Sequence, residues 1–215
     1  MKKAIILLSI LWGMSNAALA QKPITGSEAT KIETEIEQQT SQILTLENKF
    51  KQEKHMNGMS KNLVSTGTMR YKKNGKVRLD YVTPFKYELT VNGDKVKMAT
   101  NGKKNIYNAS SNPGMQEMQK MLSASMTGDI AALKSKYTIS YFDNGSTYLI
   151  KIKPIKPNKM IQEIEMELNK SDKMLIRMRL TEVAKAGKTG NDYTEYTFSD
   201  TKKNTTIDDS VFAIE

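Results

Sequence analysis

The stretch from Asn62 to Met98, NLVSTGTMRYKKNGKVRLDYVTPFKYELTVNGDKVKM, most constrains the fold because its apolar residues recur every second position. Val77, Leu79 and Tyr81 fall between Lys76, Arg78 and Asp80, giving that run one apolar and one charged face. Phe85, Tyr87, Leu89 and Val91 alternate in the same way with Lys86, Glu88 and Thr90. Successive side chains of a strand point to opposite faces, so this pattern belongs to half-buried antiparallel strands. Asn74-Gly75 and Asn92-Gly93 are expected to supply the positive φ of tight hairpins. Pro84 has no N–H for a ladder bond and belongs at a strand boundary. The expected core is a β-meander with one apolar face, and the functional question is what that face covers.

The rest of the chain extends this plan. After a short linker, Gln21 to Pro23, Thr25 and Glu28 have the spacing of a capping box. Ala29, Ile32, Ile36 and Ile43 then form one stripe of an amphipathic helix. A strand is expected from Leu46 through Phe50 to His55, with Asn57-Gly58 turning it into the meander. A further strand is expected around Lys104 to Tyr107. From Pro113 to Lys134 the period changes: Met115, Met118, Met121 and Leu122 recur at helical spacing, and Ile130 to Leu133 suit a second short helix. Strands resume at Tyr137 and Tyr148. Met160, Ile164, Met166 and Leu168 then oppose Glu163, Glu165 and Glu167, which can pair across strands with Arg177 and Arg179. A last strand, Tyr193 to Phe198, leads to a closing segment, Ile207 to Ile214. About ten strands and two helical segments predict a half-open antiparallel barrel, mainly β with α, whose helices cover the concave apolar side.

The first twenty residues stand apart. Lys2 and Lys3, the apolar run Ala4 to Trp12 and the small-x-small site Ala18-Leu19-Ala20 make an export signal cleaved after Ala20, leaving residues 21–215 as one domain. The run is shorter than the roughly 20 residues of a membrane-spanning helix. There is no cysteine, hence no lipidation site and no need of disulfides at this size. Without Lys2 and Lys3 the chain has 31 basic and 23 acidic residues, a net charge of +8. For an exported protein this points to anionic membrane surfaces or acidic partners rather than nucleic acid, or else to a solvated lysine-rich surface.

Catalytic chemistry finds little to work with. His55 is the only histidine, and without cysteine the usual nucleophile and zinc constellations cannot be assembled. The three glutamates could ligate calcium, but opposed by arginines they read as a charge ladder. No glycine run has phosphate-loop spacing. The expectation is a protein that is not an enzyme and holds no metal or cofactor. Two of its fourteen methionines precede the cleavage site, and twelve recur on the expected apolar faces. Met adapts to varied apolar shapes, and an open curved sheet must be plugged or hold a ligand. Together these favour an apolar cavity.

At this point the chain resembles the periplasmic lipoprotein carrier family, LolA. The resemblance rests on Phe50-Lys51-Gln52 after an amphipathic helix, Gly67-Thr68-Met69 and Asn74-Gly75-Lys76-Val77-Arg78-Leu79. It continues through Pro84-Phe85, Val91-Asn92-Gly93 and the closing Asp208 to Ile214 with Val211-Phe212. It implies an incomplete barrel with a helical lid, in a periplasmic chaperone that takes acylated lipoproteins from an inner-membrane ABC exporter to an outer-membrane acceptor. Phe50, Met69, Tyr71, Leu79, Tyr81, Tyr87, Leu89, Val96 and Met98 are expected to line the cavity. Met115, Met118, Met121 and Leu122 are expected to form the lid, and Lys73 or Arg78 its latch. The sequence departs from the family where an arginine usually precedes a Pro-containing turn: Lys73 stands there, before Asn74, and a lysine cannot make a forked contact. The chain is expected to be a monomer. The alternatives are a carrier of another lipid or hydrophobic precursor, or an envelope sensor or structural module with the same fold.

Overall fold

The computed structural model describes residues 21–111, 133–157, 160–184 and 190–215, together with positions 116, 124, 130 and 187. The expected lid residues Met115, Met118, Met121 and Leu122 lie outside the described residues, as does the export signal. The elements are β1 (Lys22–Ile24), α1 (Gly26–Ser41), β2 (Thr45–His55), β3 (Leu63–Lys72), β4 (Lys76–Thr83), β5 (Tyr87–Asn92), β6 (Lys95–Thr100), β7 (Lys103–Asn108), β8 (Tyr137–Asn144), β9 (Thr147–Pro154), β10 (Ile161–Asn169), β11 (Leu175–Glu182) and β12 (Tyr193–Lys203). All strands join one twelve-stranded antiparallel sheet in the order β1-β8-β9-β10-β11-β12-β2-β3-β4-β5-β6-β7. Its two edges, β1 and β7, do not pair with each other, so the sheet curves without closing.

The expected half-open antiparallel barrel is thus the fold, with two strands more than about ten. The residues Gln21 to Pro23, read as a linker, belong in part to β1, which pairs with β8. A three-residue strand containing proline has no periodicity to detect, and an edge position tolerates its missing N–H. At Thr100↔Lys103 the turn Asn101-Gly102 has φ 48° and 77°, the two positive angles of a type I′ hairpin. At Asn92↔Lys95 the turn sits one residue later than expected, on Gly93-Asp94, with positive φ at Gly93 alone.

Helix α1 buries Ile32 and Ile36, as the stripe predicts, and Thr40 besides, but ends before Ile43. Thr25 is its N-cap without a side-chain capping bond, and Gly26 enters the helix at φ 62°. Ile32 and Ile36 share one core with the inner faces of β2–β6 and β8–β12. The glutamate–arginine ladder forms on the outer face: Glu165 and Glu167 stand opposite Arg179 and Arg177, with Arg177 Nη2 2.8 Å from Glu167 Oε1. Met160 is a correction. It is exposed and Ile161 takes its place inside, since a register shift between Ile161 and Glu163 breaks the alternation there.

Candidate apolar binding face

Strand register sets the inner-face side chains of β2–β6 in three rows. In the first, Leu46, Tyr71, Val77, Val91 and Val96 stand opposite one another from β2 to β6, and all are buried. The second runs Asn48, Met69, Leu79, Leu89, Met98. The third runs Phe198, Phe50, Gly67, Tyr81, Tyr87 from β12 to β5. In these two rows burial falls off towards β5 and β6: Met69 and Leu79 are buried, whereas Tyr81, Tyr87, Leu89 and Met98 are only half-buried.

All nine residues expected to line a cavity therefore lie on one face of adjacent strands, but they divide. Phe50, Met69, Tyr71, Leu79 and Val96 are core side chains, and Tyr81, Tyr87, Leu89 and Met98 form its accessible margin. The surface clefts seen among the described residues include two that none of the nine lines. One lies against Glu47, Arg70 and Asp200, and the other lies between the start of α1 and β8.

The aromatic row is locked by its neighbours. The Phe50 ring meets Tyr81 edge-on at 4.9 Å and Tyr196 at 6.0 Å, and Tyr81 meets Tyr87 at 5.4 Å. Phe50 projects over Gly67, where a Cβ would lie 2.6 Å from its Cζ. Burial pushes the Tyr81 and Tyr196 phenols well above the ordinary tyrosine range, and their hydroxyls lie 3.3 Å apart. The patch is thus uncharged at neutral pH. Two contributors escaped the sequence reading. Tyr196 joins from β12, a register that no local pattern reveals. Asn48 is a buried polar residue in the apolar alternation Leu46, Asn48, Phe50, and its Oδ1 has no hydrogen-bond partner among the described residues. That polar interruption was the available signal.

The two latch candidates part company. The Lys73 ammonium donates to the Ser41 carbonyl at 3.3 Å, at the C-terminal end of α1, where a cation meets the negative end of the helix dipole. It touches α1, whereas the lid it was expected to latch lies outside the described residues. Arg78 points to the outer face. Its guanidinium donates to Asp80 Oδ1 at 2.8 Å and to the Val211 carbonyl at 2.9 Å, and lies 3.1 Å from Glu88. It therefore holds the closing segment. Helix α1 is held further by Glu33, which accepts from the Tyr141 hydroxyl at 2.8 Å and from Lys134 at 2.6 Å. His55 is half-buried, stacked on Tyr193 at 4.8 Å and 3.0 Å from Asn62 Oδ1.

Among the described residues no helix is long and apolar enough to cross a membrane. The family described as outer membrane lipoprotein carrier protein LolA matches residues 41–215. Among curated proteins no sequence matches this chain. Solved structures are similar at low identity. A chain of the Pseudomonas aeruginosa MucA/MucB complex is 12% identical at a TM-score of 0.49, with 87% of this chain covering 61% of that one. A LolA superfamily protein from Nitrosomonas europaea is 12% identical at 0.43, with 86% covering 97%. The Mycobacterium tuberculosis lipoprotein LppX is 12% identical at 0.46, with 85% covering 100%.

Proposed function

This chain belongs to the LolA family of outer membrane lipoprotein carrier proteins, and we propose that it is an exported periplasmic chaperone for acylated lipoproteins. The observation that carries the reading is the loss of burial along two apolar rows, which leaves Tyr81, Tyr87, Leu89 and Met98 half-buried beside a packed core. An acyl chain laid on that margin extends the core and gains about 0.8 kcal/mol for each methylene removed from water. The uncharged tyrosine pair keeps the surface apolar.

In this scheme binding is non-covalent and the chain acts as a carrier rather than an enzyme. Met115, Met118, Met121 and Leu122 cover the acyl chains, and Lys73 steadies α1 beside them. Cargo arrives from an inner-membrane ABC exporter and leaves for an outer-membrane acceptor. Residues 1–20 direct export and are cleaved after Ala20.

The test is native mass spectrometry of the protein purified from its own cell envelope, with lipid extraction. A bound acylated lipoprotein is expected, and the Leu89→Asp, Met98→Asp double variant should be recovered empty. A bound free lipid would transfer the carrier reading to that cargo. A protein recovered empty that also ignores added lipopeptide would overturn it.

A further inference from the structure

We propose that one rim of the sheet, the end where β2 finishes, docks this protein onto the headgroup region of an anionic lipid bilayer. Antiparallel pairing brings five connections to that rim: residues 56–62, 84–86, 101–102, 155–160 and 183–192. In sequence they hold six lysines and one acid, Asp192, and Lys103 and Lys104 follow at the start of β7. Lys61, Lys86, Lys103 and Lys104 are exposed, and none of these four is in an ion pair among the described residues. Many lysines elsewhere are matched with acids, as in Lys49–Asp200, Lys72–Asp209, Lys97–Glu88 and Lys170–Asp143. The acids nearest the rim are engaged: Glu182 with Lys54 at 2.9 Å, and Asp192 with the Asn57 N–H at 2.7 Å. The rim is left with a net positive field.

The same rim collects exposed apolar side chains. Phe85 is 79% exposed and Val82 57%, beside Leu63, Val64 and Met59 at 51%, 45% and 47%. Ile155 and Val183 stand exposed on the next two connections. The Thr66 and Thr83 hydroxyls, 2.7 Å apart, tie β3 to the end of β4. The Thr100 hydroxyl donates to the Lys86 carbonyl at 3.2 Å, joining the turn that bears Phe85 to the next hairpin. The turn therefore projects from a braced base.

Charge and shape select the occupant. A protein interface gathers its apolar residues into a core depleted of lysine. Here they stand exposed on strand ends and turns, with exposed lysines among them. That is the pattern of an interfacial membrane contact, in which apolar tips enter the acyl boundary while ammonium groups meet anionic headgroups.

Flotation of the whole protein with phosphatidylcholine vesicles, with and without phosphatidylglycerol, tests this directly. Binding is expected only with the anionic lipid and should fall in high salt. Val82→Ser with Phe85→Ser should lower the bound fraction by about tenfold, and each of Lys61→Gln and Lys86→Gln by about fivefold. These positions are exposed, so an unchanged thermal midpoint shows that the variants fold, and all share one N-terminus with the wild type. No binding by the wild type, or binding that survives all three variants, overturns the proposal. Rim variants that lose cargo delivery in cells, while the wild type ignores vesicles, also overturn it and give the rim to a protein partner. Vesicle binding is read without cargo, so its failure leaves the carrier reading intact.

Discussion

Gly67 is where a single atom decides how the sheet packs. Its φ is not positive, so backbone freedom is not the reason for glycine there. Space is: an added Cβ would lie 2.1 Å from the Asp80 carbonyl oxygen and 2.6 Å from the Phe50 ring. The register shift between Thr66 and Gly67 brings that carbonyl in, and the glycine gives Phe50 room to reach Tyr81. Gly67→Ala should therefore destabilise the fold by about 2–4 kcal/mol, since backbone as well as ring must shift. Urea denaturation measures it, and a loss below about 0.5 kcal/mol, the range of an ordinary surface change, would mean the ring simply swings aside. Phe50 was legible as an inward residue from its alternation. Its position over Gly67 was not, because the partner across a ladder depends on register between strands. Asn48 is the converse case. Its break in the apolar pattern is visible in the sequence, but only the fold reveals that its oxygen is buried without a partner among the described residues.

Among the elements, the meander was the most legible, since period-two alternation and Asn-Gly turns are local signals that the sheet only has to obey. The closing segment was the least. Its apolar residues were visible, but what holds them comes from β3–β6 on the outer face. Lys72 donates to the Ile207 carbonyl at 2.9 Å, Asn92 to Phe212 at 3.1 Å and Lys97 to Ala213 at 2.6 Å, alongside the Arg78 contact with Val211. Phe212 is fully buried beneath this strap. Its acidic anchors set a pH dependence. Asp209 is held below the ordinary carboxylate range by Lys72 and Lys76. Burial pushes Glu88 up, but the Thr90 hydroxyl, Lys97 and Arg78 outweigh it and leave that carboxyl lowered. A carboxyl lowered by folding contributes stability above its unfolded pKa of about 4 and loses it as pH falls through the folded value. Hydrogen exchange should therefore show residues 207–213 losing protection below about pH 4 before the central strands do. Asp209→Asn should weaken the strap at neutral pH and flatten the dependence. Protection unchanged down to global acid unfolding would mean that the carbonyl contacts alone suffice.

Across the whole molecule, one continuous sheet supports two halves of unequal solidity. In β8–β10, Leu149, Ile150 and Ile152 are fully buried, with Ile164, Met166 and Leu168 almost so. In β4–β6, burial is complete only in the row from Val77 to Val96, and the edge strand β7 exposes all six of its residues. Local opening costs least where few apolar side chains are withdrawn from water. The β4–β7 meander should therefore exchange its amides faster than β8–β10 in protein without cargo. A ligand that binds only the folded state stabilises it by an amount set by its concentration relative to Kd, about 2.7 kcal/mol at a hundredfold excess. If the cargo lies on Tyr81, Tyr87, Leu89 and Met98, that gain should appear first in the amides of β4–β6 and leave β9 little changed. Hydrogen exchange with and without a triacylated lipopeptide, read by mass spectrometry, makes the comparison on one preparation. Protection confined to β8–β10 would move the binding face to the other half of the sheet, where the side chains leave less room. Protection in β4–β6 that disappears in the Leu89→Asp variant would tie the open half of the barrel to the ligand.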